Sequence, residues 1–120
     1  MTNIKLFKSN GYYVAFECSG HTGYGEEGED ILCATISGIT QSIALGLKEV
    51  CGINIKITRK DSSGYFKVEL PKNLSREMLD KTQVLLETLR VSIEDLIKGY
   101  SKYILREVIE NVYSYSTVCS

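Results

Sequence analysis

NIKLFKSNGYYVAFEC, residues 3–18, decides the fold, because it holds two alternating runs on either side of an Asn-Gly pair. Ile4 and Leu6 fall on one side of the first run and Lys5 and Phe7 on the other, the period of two of a half-buried strand. Asn10-Gly11 supplies the positive φ angles of a tight hairpin, so the second run is expected to return antiparallel to the first. Tyr12, Val14, Phe16 and Cys18 are predicted to share one face, with Tyr13, Ala15 and Glu17 on the other. That pattern makes Cys18 a core residue rather than a reagent.

Downstream, the chain changes period. After a glycine-rich loop, Asp30 is a good N-cap for a helix over residues 30–51, with Ile31, Ala34, Ile39, Ile43, Leu47 and Val50 recurring at helical spacing and Gly52 suited to the position just past its end. Gly38, Ser42 and Gly46 form a small-residue stripe on that helix, read as close approach of another element within the chain or of a second copy. Residues 53–60 alternate with Ile53, Ile55 and Ile57 together, Asp61-Ser62-Ser63-Gly64 forms a turn, and Phe66, Val68 and Leu70 give a second hairpin its core face. Ser75 then caps a long helix, with Leu74 and Leu79 as a hydrophobic staple and Leu86, Leu89, Ile93, Leu96 and Ile97 as its buried stripe. Gly99-Tyr100-Ser101 bends or breaks it, and Ile104, Val108 and Val112 extend the same period, with residues 113–120 a patternless tail. The expected architecture is a two-layer α+β domain spanning residues 1–120, β-β-α-β-β-α, with two main helices on one face of a four-stranded sheet.

Composition excludes several classes of function. A net charge of −1 gives no basic face with which to neutralise phosphates, so no direct nucleic-acid partner is expected. One histidine and four scattered cysteines contain no CxxC pair, so neither a metal nor another cofactor is expected. The weakly charged run 31–47 is broken by Thr35, Ser37, Gly38, Thr40, Gln41 and Ser42, too polar and short for a membrane span, and the start lacks a signal-peptide core. The expected compartment is the cytosol, with all four thiols reduced.

Chemistry concentrates in GHTGYGEEGEDILCATIS, residues 20–37, which holds the only histidine. Cys33 falls three residues after the expected cap, where free amides and the helix dipole favour a thiolate. His21, at the end of a strand, can fold back to take the thiol proton and later give one to a leaving amine. Asp30 either caps the helix or orients His21, and sequence leaves both open. Glu26, Glu27, Glu29 and Asp30 form an acidic patch that either steers a basic substrate or is simply solvated, and the glycines between residues 20 and 28 suit a gate that orders over substrate.

The same run resembles the signature of the ribosomal-processing cysteine proteases, the Prp family, through Gly20, His21, Gly23, Tyr24, Gly28, Asp30, Ile31, Cys33, Ala34 and Ser37. Thr22 and Gly25 depart from it, standing where alanines are expected. The resemblance implies a cytosolic Cys33–His21 dyad supported by Asp30, with Ser37 contacting substrate; Gly20 and Tyr24 of the loop are also expected at the substrate, Tyr24 as an aromatic lid contact or simply a surface tyrosine. It further implies a homodimer whose partner is a large-subunit ribosomal protein precursor, from which a short N-terminal extension is removed. A ribosome-associated module that binds the peptide without cutting it is the alternative.

Overall fold

Asn10 at φ 53° and Gly11 at φ 83° place both central residues of the first turn in the left-handed region, the geometry of a tight hairpin. It joins β1 (Thr2–Ser9) to β2 (Tyr12–Ser19). The remaining elements are α1 (Glu29–Leu45), β3 (Lys56–Lys60), β4 (Tyr65–Glu69), α2 (Arg76–Tyr100) and β5 (Ile104–Ile109). The computed structural model describes residues 2–20, 29–60, 64–101 and 103–110, with the backbone alone for Glu29 and Asp30. The tail expected at 113–120 lies outside them.

The sheet has five strands in the order β3-β4-β2-β1-β5, not four. The first four strands pair antiparallel with their neighbours, and β5 runs parallel to β1 from Thr2↔Ile104 to Phe7↔Ile109. Ile104 and Val108, expected to prolong the long helix, instead sit on this fifth strand. A spacing of four satisfies both a helical repeat and an alternating one, so the pair could not decide between them. Arg106, between them on β5, approaches Glu94 of α2 with Nη2 3.5 Å from Oε2, tying the strand to the helix before it.

Inward residues of β1, β2 and β4, among them Ile4, Leu6, Phe16, Cys18, Phe66 and Val68, form one buried cluster with Leu32, Ile36, Ile43 and Leu47 of the first helical segment and Leu86, Leu89 and Ile93 of α2. The faces of β2 differ from expectation. A register shift opposite Phe7 and Lys8 puts Tyr13 into this cluster, whereas Val14 packs on the far side of the sheet with Phe7 and Ile109. An inserted residue reverses the alternation beyond it, which strict period-two reading cannot foresee. The strand after α1 is also shorter than expected. Ile53 is buried ahead of it, while Ile57, within β3, is 46% exposed.

Helix ends follow their local chemistry. The Ser75 hydroxyl accepts from the Met78 amide, and Leu74 and Leu79 both pack on the core, as a cap and staple require. After α1 the backbone widens into a π turn, Gly46–Val50, and stops at Gly52 with φ 69°, where the Ile53 amide bonds the Leu47 carbonyl. Through that turn the helical run Ile31–Val50 reaches 20 residues with mean hydropathy 1.4, long and apolar enough to cross a membrane by those two measures, contrary to the expectation from its Thr and Ser content. Here its Leu32, Ile36, Ile43 and Leu47 face is packed on the sheet. The small-residue stripe divides in two: a Cβ on Gly46 would meet Leu85 Cδ1 of α2 at 2.9 Å, whereas one on Gly38 would meet nothing within 4 Å among the described residues.

Candidate functional site

Cys33 and Ser37 are one turn apart on α1 and open into the same cavity, about 200 Å³, at one end of the sheet. The opposite walls come from Cys18 and Ser19 at the end of β2, Arg59 near the end of β3, and Tyr65 and Phe66 at the start of β4. Thr2, the first residue of β1, completes the cavity beside the thiol. The cavity thus lies where four strands and one helix meet, with a half-buried thiol on its wall.

Each group has a definite partner. Cys33 Sγ is 3.6 Å from Thr2 Oγ1. Ser37 Oγ accepts from Gln41 Nε2 at 2.7 Å, which leaves the serine hydrogen free to donate elsewhere. Burial pushes the Cys18 thiol above its usual range, outweighing the Thr40 hydroxyl that favours the thiolate, so Cys18 stays protonated at neutral pH. This supports its reading as a core residue. The Arg59 guanidinium stacks on Phe66, 5.0 Å from the ring centroid, which holds a cation at the cavity wall. The Tyr65 hydroxyl donates to Glu17 Oε1 at 2.9 Å, and burial followed by that bond raises its pKa to about 12.

Two local expectations about the helix start change. Glu29 is already helical, so Asp30 stands within α1 rather than at its cap. As the fifth helical residue, Cys33 lies beyond the amides that a helix start leaves free, and its own N–H belongs to the helical ladder. Gly20, with φ 97°, follows the cavity-lining Ser19 in a conformation that favours glycine. His21, Tyr24 and the expected acidic gate at 21–28 lie outside the described residues. Among the described residues, no three His, Cys, Asp or Glu side chains gather so as to hold a metal ion.

The sequence pattern missed Thr2, Arg59, Tyr65 and Phe66 as site residues. Alternation marked Phe66 as inward-facing, but only the strand order brings it to Cys33.

A protein-family model described as cysteine protease Prp matches residues 1–105. The ribosomal processing cysteine protease Prp of Bacillus subtilis (strain 168) is 29% identical over 87 residues, covering 72% of this chain and 78% of the relative. Among solved structures, an essential ribosomal processing protease Prp from S. aureus in complex with a substrate peptide superposes with a TM-score of 0.79 at 21% identity, covering 90% of this chain and 99% of that one. The form with a covalently linked product peptide gives a TM-score of 0.75 at 22% identity over 90% and 99% of the two chains. A Streptococcus mutans structure gives 0.81 at 22% identity over 92% and 98%.

Proposed function

The chain belongs to the Prp family of cysteine proteases, and from that premise we propose that it trims the N-terminal extension of a ribosomal protein precursor with Cys33 as nucleophile and His21 as its proton carrier. The observation that carries the reading is the half-buried Cys33 thiol on the wall of an open cavity, with Ser37 one turn away. His21 follows the cavity-lining Ser19 by two residues, a tether of under about 8 Å between α-carbons, which favours its action at this thiol.

Cys33 sulfur attacks the scissile carbonyl carbon as its proton passes to His21. The C–N bond then breaks with return of that proton to the leaving amine, and water hydrolyses the thioester. Ser37 donates its free hydrogen to a substrate carbonyl, with its oxygen fixed by Gln41. Asp30, within the helix that carries Cys33, supports His21, and Gly20 and Tyr24 contact the peptide. The enzyme works in the cytosol, where its thiols are reduced, as a homodimer and with no direct nucleic-acid partner.

The test is incubation of the purified protein with the host's precursor ribosomal protein, followed by mass spectrometry of its N-terminus. Cys33→Ala and His21→Ala should each lower trimming at least about 10³-fold while peptide binding survives. Undiminished trimming by either variant refutes that residue's role. Binding with no trimming by the wild type points instead to a non-catalytic module.

A further inference from the structure

We propose that Thr2 is a positioning residue for the cysteine nucleophile, its hydroxyl donating to Cys33 sulfur so as to fix the side chain and favour the thiolate. This rests on the reading of Cys33 as nucleophile. Thr2 is only 6% exposed, and its Oγ1 lies 3.6 Å from Cys33 Sγ. A buried hydroxyl needs a partner, and once the thiol ionises the sulfur can only accept, so the hydrogen bond acquires a fixed direction. A donor held against a thiolate stabilises the charged form.

The backbone makes the position rigid. Thr2 is the first residue of β1, its amide bonded at 2.8 Å to the Tyr103 carbonyl, and it pairs with Ile104 of β5. Its inward direction is shared by Ile4 and Leu6, both fully buried, so rotation of the strand is blocked. The hydroxyl therefore approaches the thiol from the sheet while α1 carries the thiol from above.

Other charges must be compatible with an ionised Cys33. Among the described residues, the titratable groups sharing the cavity are Cys18 from β2, Arg59 from β3 and Tyr65 from β4. Cys18 and Tyr65 both have raised pKa values and are neutral at pH 7, and Arg59 is cationic, so none of the three opposes a thiolate. The side chains of His21 and Asp30 lie outside the described residues. They are unchanged in the variants compared below, so a difference among those variants reports on Thr2.

The experiment is alkylation of Cys33 by iodoacetamide between pH 5 and 9, resolved by site with mass spectrometry, in wild type, Thr2→Val and Thr2→Ser. Thr2→Val removes only the hydroxyl from a site of the same shape. It should slow alkylation at pH 7 roughly threefold to tenfold, with the melting temperature not lowered. Thr2→Ser should restore the wild-type rate, and peptide cleavage should follow in kcat rather than KM. A Thr2→Val profile that superposes on wild type overturns the proposal, as does failure of Thr2→Ser to restore it. Trimming retained by Cys33→Ala instead overturns the nucleophile assignment and, with it, the role given to Thr2.

Discussion

Replacing Gln83 should cost more stability than any other half-exposed polar side chain on α2. Its amide is bonded to the backbone of Tyr13, Oε1 accepting from the Tyr13 N–H at 2.8 Å and Nε2 donating to the Tyr13 carbonyl at 2.9 Å. Tyr13 lies beyond the β2–β4 ladder, which begins at Ala15, so the helix supplies the hydrogen bonds that a third strand supplies further along. Tyr13 is only 5% exposed. A buried donor left unpaired costs about 1–3 kcal/mol, and the carbonyl, with two lone pairs, somewhat less, so Gln83→Ala should lose roughly 2–4 kcal/mol. At about 4 °C per kcal/mol for a chain of this size, melting should fall by about 8–16 °C, measured by circular dichroism with urea denaturation as a second reading. Gln83→Glu keeps the acceptor for the Tyr13 amide but turns a carboxylate towards the carbonyl. Its deficit should therefore shrink as pH falls and the carboxyl becomes a donor. A Gln83→Ala shift below about 3 °C would refute the reasoning, because it would mean that water replaces the amide without penalty.

The two glycines of the small-residue stripe should respond differently. Gly38→Ala places a methyl in open space and should stabilise by about 0.5–1 kcal/mol through helix propensity, whereas Gly46→Ala must displace the Leu85 methyls and should gain less than Gly38→Ala in thermal melts. If Gly38 instead forms the dimer contact, Gly38→Ala will weaken association in light scattering. Tyr65→Phe tests the raised tyrosine: the folded state holds that proton to about pH 12 and the unfolded chain releases it near 10, so wild-type stability is lost as pH rises through that window. The variant should lack this slope, and an unchanged slope between pH 10 and 12 counts against Tyr65 as the group that titrates there.

How far the sequence carried depended on whether a residue's environment is local. The Asn10-Gly11 turn, the Ser75 cap and the Gly52 stop are each set by atoms within a few residues, and each formed where the pattern placed it. The Tyr13–Val14 face change was illegible because the register shift depends on how β2 meets β1 and on a glutamine 70 residues later. Strand pairing at sheet edges is likewise non-local. Nothing within 104–109 says that the edge of β1 is free to take a parallel partner.

The same division runs through the site. Cys33 and Ser37 were legible because a helix sets them one turn apart, whatever the rest of the chain does. Arg59, Tyr65 and Phe66 reach the cavity only because β4 inserts between β3 and β2. Thr2 depends on the strand that the helical period concealed. If 104–109 were helical, the Thr2 amide would lose the strand beside it, and the hydroxyl next to Cys33 would lose its backbone anchor. The C-terminal strand is therefore part of the site's construction: its packing holds the first strand, and the first strand holds the hydroxyl against the thiol. A variant that loosens β5, such as Arg106→Ala at its contact with Glu94, should consequently slow Cys33 alkylation although it touches no group in the cavity.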